Sequence, residues 1–250
     1  MAIMSGPLIE CVVDDELRTA LGDDVASLDE KVDLVEQLAM RQPDLLVLDA
    51  RDPRCEALVL TTKSSPATRR IPVLVIAAHA DAERMRRAGA DAVVDRAAFL
   101  ADAAACIRAH RRPDESAAIA AAAREPLPAR AREAIAQFNA GQYWEQHETF
   151  EEVWRAEPGP IRALYQGILQ VGVAYLQIER GNYVGARKIF LRAQQYLRIL
   201  PDICRGIDIA RLRVDAAAAF AELERLGPER IAEFPRRMFG PLVIVDSDSG

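Results

Sequence analysis

The chain has 250 residues and a formal net charge of −6 at pH 7, with 50% of its residues hydrophobic and 28% charged. That composition excludes a disordered or fibrous polymer and provides enough apolar material for two modest cores. An acidic balance without a basic block argues against a nucleic-acid footprint, and no stretch approaches the roughly 18–20 apolar residues of a membrane span.

The opening MAIMSGPLIE has neither a basic n-region nor a long apolar run. No signal peptide is expected there, and the chain reads as soluble and cytoplasmic. Cys11, Cys55, Cys106 and Cys204 are scattered without a C-x-x-C pair, which argues against a disulfide framework or a Cys-rich zinc site. Of the 14 aromatic residues only Phe99 precedes residue 111, and the charge divides at the same place. Two domains are therefore expected.

In the first 110 residues short apolar runs alternate with amphipathic segments. Leu8–Val13, Leu45–Leu48 and Val73–Ala77 read as strands, Ala92–Val94 as a weaker one, and Lys31–Met40 and Asp81–Ala88 as helices. Near-continuous Val, Leu and Ile runs suit strands buried on both faces of a parallel sheet. Asp14, Asp15 and Asp49 fall at the carboxyl ends of such runs, where open sheets bind ligands. Clustered carboxylates of this kind suit Mg²⁺. They also serve as ordinary helix caps and turn residues.

The text CVVDDE, PDLLVLDARDP, ATRRIPVLVIAA and AGADAVVDR resembles the receiver domain of bacterial response regulators. The resemblance implies a doubly wound parallel sheet, Mg²⁺ held by Asp14, Asp15 and Asp49, and Asp49 as phosphoacceptor in a phosphorelay. It also implies a homodimer among the partners, since the last helix and strand often pair in that family. Three positions depart from the family's pattern: Ala77 replaces the switch hydroxyl, Arg96 the lysine, and Ala97 the proline after it. Two expectations stand side by side, a receiver-like docking scaffold and a working phosphoswitch. The interval from Asp15 to Asp49 is several residues shorter than usual, so a clipped first helix is expected.

Three prolines surround an Ala-rich centre between Arg111 and Arg132. Ser116–Arg124 reads as a helical spacer, and the whole stretch as a semi-rigid connector. From Ala129 to Leu226 the pattern is helical, with segments at 129–140, 142–156, 160–179, 182–199 and about 208–226. Leu242–Val245 reads as a short strand or a frayed tail. The expected division is thus a receiver-like α/β domain over 1–112, a linker over 113–127, an all-α helical bundle over 128–228 and a C-terminal tail over 229–250. A faint repeat at an offset of 40 residues aligns Gly141 with Gly181, Tyr143 with Tyr183 and Phe150 with Phe190. A closed bundle is expected rather than a solenoid.

Two of these helices carry unusual polarity. Segment 160–179 is apolar nearly all round, yet Gln166 and Gln170 share a face. Segment 142–156 sets His147 four residues from Glu151, with Glu148 adjacent and Trp154 one turn on. FNAGQYWEQHETFEEVW, YQGILQ and RGNYVGA are similar to the domain-of-unknown-function family 309. That resemblance implies a small helical bundle without an assigned activity.

Three readings of the cluster remain open. The first is a buried network joining His147, Glu151, Gln166 and Gln170 with Tyr165 or Arg162. The second is a ligand or peptide pocket. The third is a metal-dependent, hydrolase-like site with His147, Glu148 and Glu151 as catalytic candidates, although H-E-x-x-E lacks the second histidine of known zinc patterns. Arg180 and Asn182, flanking Gly181, read as a helix C-cap turn. The expected function is a signalling adaptor that binds a protein partner, with the metal enzyme as the alternative.

Overall fold

The computed structural model describes residues 9–22 and 25–245, and the chain divides into two compact units, Met1–Pro113 and Asp114–Gly250. In the first unit, strands β1 (Ile9–Val12), β2 (Val25–Ser27), β3 (Leu45–Asp49), β4 (Val73–Ile76) and β5 (Ala92–Val94) form one all-parallel sheet in the order β2-β1-β3-β4-β5. Alternation along the strands feeds two cores. Leu45, Val47, Leu74 and Ile76 join Leu17 and Leu21 of α1 (Asp15–Leu21), Phe99 of α5 (Arg96–Ala101) and Ala103 of α6 (Ala103–His110). Leu46, Leu48, Val73 and Val75 join Leu38 of α2 (Leu34–Arg41), Val59 of α3 (Cys55–Ser64) and Met85 of α4 (His79–Ala88). Helices therefore cover both faces of the sheet, which is why its central strands read as unbroken apolar runs.

β2 and α3 are among the elements of this unit that go beyond the sequence reading. β2 is only three residues long, VAS, too short to show a period. In α3, CEALVLTTKS, two threonines blur the helical stripe, although Thr62 is fully buried and returns its hydroxyl to the carbonyl of Leu58 at 2.7 Å. α1 is short, as the clipped Asp15–Asp49 interval implies, and stops at Gly22, whose φ of +89° favours glycine.

The second unit holds α7 (Ser116–Ala122), α8 (Ala129–Asn139), α9 (Tyr143–Ala156), α10 (Arg162–Glu179), α11 (Tyr183–Leu197) and α12 (Ile209–Leu226). A two-stranded hairpin, β6 (Ile203–Cys204) with β7 (Ile207–Asp208), precedes α12. The 40-residue repeat is structural. α8 and α10 both end on a left-handed glycine, Gly141 (φ +75°) and Gly181 (φ +68°). In each turn the next two amides reach back in the same pattern, Gly141 to Phe138 and Gln142 to Gln137, then Gly181 to Ile178 and Asn182 to Gln177. This closure satisfies the last carbonyls and reverses the chain into the following helix.

Two expectations about this unit need correction. Residues 114–127 are not a linker but part of the helical unit: Ile119, Ala123 and Leu127 are buried, and the backbone N–H of Arg205 donates to the carbonyl of Ala123 at 2.6 Å. Nor are residues 229–245 a plain tail. Two 3₁₀ turns, Pro228–Glu233 and Arg236–Met238, bury Ile231 and Phe234 and stack Phe239 on Tyr175 at a ring separation of 4.6 Å. Ile244 then bridges Ile207. No helix among the described residues is long and apolar enough to cross a membrane.

Candidate functional site

The acidic residues at the carboxyl edge of the first unit's sheet meet two arginines. Asp14 follows β1 and caps α1, accepting from the amide of Leu17 at 3.0 Å. Asp49 closes β3 and is 5% exposed. Arg51, two residues beyond it, donates from its backbone amide at 2.9 Å and from its guanidinium at 2.7 and 3.0 Å to Asp49, and also bonds Asp14. Arg96, the first residue of α5, donates to Asp14 at 2.8 Å and to Asp49 at 3.3 Å, and also pairs with Glu16. Two guanidiniums thus compensate the charge of two carboxylates at this edge.

The amide of Leu17, reinforced by Arg51 and Arg96, holds the Asp14 carboxyl below the ordinary carboxylate range. Asp15 stands exposed in the first turn of α1, and its side chain takes no part in these contacts. Among the described residues no three His, Cys, Asp or Glu side chains are gathered so as to hold a metal ion. The expected Asp14/Asp15/Asp49 magnesium set is therefore not assembled; Asp14 and Asp49 are brought together, and arginine occupies them. At the end of β4, Ala77 donates its backbone N–H to Val94 and offers only a methyl side chain. Burial pushes the Cys55 and Cys204 thiols up to about 11, away from thiolate chemistry.

In the second unit, α10 is central because two of its glycines admit its neighbours. A methyl at Gly172 would lie 2.8 Å from the Cδ of Gln146 on α9, and one at Gly167 would lie 2.7 Å from the Cδ2 of Leu197 on α11. The expected polar network does not form. Glu151 pairs with Arg155 at 2.8 Å, and Tyr165 takes a hydrogen bond from Arg205. Glu148 is exposed on α9. Gln166 and Gln170 are 8% and 7% exposed, and neither holds a buried polar atom left without a partner among the described residues. The Nδ1 of His147 is buried without a partner, and its ring stacks beside Trp144 at 5.9 Å.

Cations cover both tryptophans. Arg162 lies 4.3 Å above Trp154, and Arg180 lies 5.9 Å from Trp144. Asn182 caps α11 by accepting from Gly185 at 2.9 Å, and its amide donates to Gln177 at 2.6 Å.

These helices and turns lie within a recognised segment. Residues 131–189 match the family described as Domain of unknown function (DUF309). The DUF309 match runs from α8 into α11 and contains the polar cluster singled out from sequence, from His147 to Asn182. A relative described as an uncharacterized protein of Aquifex aeolicus (strain VF5) is 29% identical over 105 residues. That stretch is 42% of this chain and 30% of the relative, so the chain spans well under two thirds of its length.

Sequence reasoning missed three residues of consequence. Arg51 was visible as the second residue after Asp49, but nothing local says that its guanidinium folds back. Gln146 lies on the opposite side of its helix turn from the His147–Glu151 pair. Arg205 belongs to a hairpin with no periodic signal, and it enters with a φ of +51°.

Proposed function

We propose that the chain is a cytoplasmic regulatory adaptor: a pseudo-receiver α/β unit docks a protein partner, and the helical unit presents the effector surface. The strand order β2-β1-β3-β4-β5 is that of flavodoxin-like, doubly wound sheets, whose ligand crevice opens at the carboxyl ends beside β1 and β3. Asp14 and Asp49 stand at that crevice, in a pocket of about 430 Å³ that Arg51 and Asp52 also line. The observation that carries the proposal is the double engagement of both carboxylates by Arg51 and Arg96.

A receiver that signals through phosphate needs a divalent cation against these carboxylates and a hydroxyl to follow the phosphoryl group. On this reading the cation's role falls to the guanidiniums of Arg51 and Arg96, and Ala77 supplies no hydroxyl. The reading is therefore a constitutive docking unit, with a homodimer among the complexes it accommodates. A metal-dependent hydrolase at His147, Glu148 and Glu151 gains nothing from the geometry, because Glu151 is engaged by Arg155 and Glu148 faces solvent.

Incubating the chain with a small phosphodonor and Mg²⁺, then weighing it intact, tests the proposal. The mass should not change. An Asp49-dependent gain of one phosphoryl group would overturn it.

A further inference from the structure

A second cavity of the first unit, of about 290 Å³, lies beyond the carboxyl ends of β1 and β2, on the side of the sheet where open α/β folds hold ligands. Val12, Val13, Leu28, Val32, Leu34 and Leu58 line it. Val12, Leu28, Leu34 and Leu58 pack partly into the core beneath α2 and α3, whereas Val32 is 43% exposed. Val12 and Val13 also line the pocket of Asp14 and Asp49, so the two cavities adjoin at the end of β1.

The polar part of this wall is built around one carboxylate. Gln37 of α2 is 5% exposed and commits its whole side-chain amide to the backbone of Asp29. Its Oε1 accepts from the Asp29 N–H at 2.8 Å, and its Nε2 donates to the Asp29 carbonyl at 3.2 Å. A buried amide used at both ends holds the loop that carries Asp29 in place. The Asp29 carboxylate itself accepts from the amide of Lys31 at 2.9 Å. Arg54, the guanidinium of this wall, is taken by Asp52 at 2.7 Å and by Glu30. Asp14, Glu30, Asp49 and Asp52 thus each have an arginine, while Asp29 pairs with no guanidinium or ammonium among the described residues.

We infer that this cavity binds a small organic ammonium ion, with an aryl or cycloalkyl body against the valines and leucines and its N–H groups on Asp29. Such a ligand matches both halves of the wall. The apolar body removes exposed valine and leucine surface from water, and the ammonium gives Asp29 a charge-assisted hydrogen bond. Two other ligand classes fit the lining poorly. An anion would have to draw Arg54 away from Asp52 and Glu30 and would then lie beside Asp29. A divalent metal ion requires about six oxygen ligands, and most of this wall is hydrocarbon. The inference rests on the adaptor reading only in making the ligand an input to the docking unit; its chemistry uses neither Asp49 nor the helical unit.

The probes are 2-phenylethylammonium and cyclohexylmethylammonium, titrated into the full chain and followed by amide nuclear magnetic resonance, with 3-phenylpropanoate and Mg²⁺ as comparisons. Saturable shifts at Val13 and residues 28–34 are expected with the ammonium ions, and binding at least tenfold weaker with the carboxylate. Asp29→Asn keeps an oxygen for the Lys31 amide and should weaken ammonium binding at least tenfold, with the rest of the spectrum unchanged. Val32→Arg, which sets a cation at an exposed position of the wall, should do the same. No saturable shift with either ammonium ion overturns the inference. So does equal binding of the carboxylate, unchanged affinity in Asp29→Asn, or the same shifts with Mg²⁺. Ammonium binding together with an Asp49-dependent phosphoryl gain would overturn the constitutive reading of the first unit and leave this site standing.

Discussion

Replacing Arg205 tests whether residues 114–127 belong to the helical unit. Its side chain is 4% exposed and spends its guanidinium on Tyr165, on Glu125 at 2.8 Å, on Glu157 at 3.1 Å and on the carbonyl of Ala122 at 3.2 Å. Arg205→Ala leaves the Tyr165 hydroxyl without its donor, worth about 1–3 kcal/mol. It also leaves Glu157, which is largely buried, without its cation. Breaking a fully buried pair costs about 3–5 kcal/mol. The pair with Glu125 adds little, because that carboxylate is 62% exposed and water replaces the guanidinium. A net loss of about 3 kcal/mol follows, or roughly 10 °C in melting temperature for a unit of this size.

Urea unfolding followed by tryptophan emission reads this unit selectively, since Trp144 and Trp154 both lie in it. In a double-mutant cycle, Tyr165→Phe should couple to Arg205→Ala by about 1–2 kcal/mol. Arg205→Gly should be less damaging than Arg205→Ala by about 1 kcal/mol, because a φ of +51° strains every residue with a Cβ. A loss below about 1 kcal/mol for Arg205→Ala, within the range of an ordinary surface substitution, would refute the reasoning.

Further expectations concern the same unit. Gly172→Ala should cost about 1–2 kcal/mol, since overpacking against the fully buried Gln146 costs about 1–3 kcal/mol and outweighs the helix propensity gained; Gln146→Ala in the same background should recover most of it in chemical denaturation. Deleting residues 114–127 should lower the tryptophan-reported midpoint at least as far as Arg205→Ala does, whereas a connector could be removed without effect on it.

The sheet was legible where its strands were long enough to carry a signal. Leu45–Leu48 and Val73–Ile76 are buried on both faces and show it as unbroken branched apolar residues. Val25–Ser27 is too short to carry one. In the bundle, helix limits and the turns at Gly141 and Gly181 were legible from the helical pattern and its glycine punctuation, because capping chemistry is local. The connector was misread for the opposite reason. Its few apolar anchors, Ile119, Ala123 and Leu127, look like spacer sequence until Arg205, 80 residues beyond Glu125, closes on them.

Long-range side-chain pairing likewise decided both candidate sites. Nothing in the order of residues says that Arg51 and Arg96 converge on Asp14 and Asp49, or that Glu151 prefers Arg155 to Gln166 and Gln170. What could be read was which helix faces would carry these groups; which partner each would find was a matter of tertiary reach.

The claim that arginine stands in for a cation in the acidic pocket is tested most directly by titrating Mg²⁺ calorimetrically into the wild-type chain and the Arg51→Ala/Arg96→Ala variant. The wild type should show no stoichiometric binding, and the variant, its carboxylates released, should bind one ion in a manner abolished by Asp49→Asn. Stoichiometric binding of Mg²⁺ by the wild type would contradict the account.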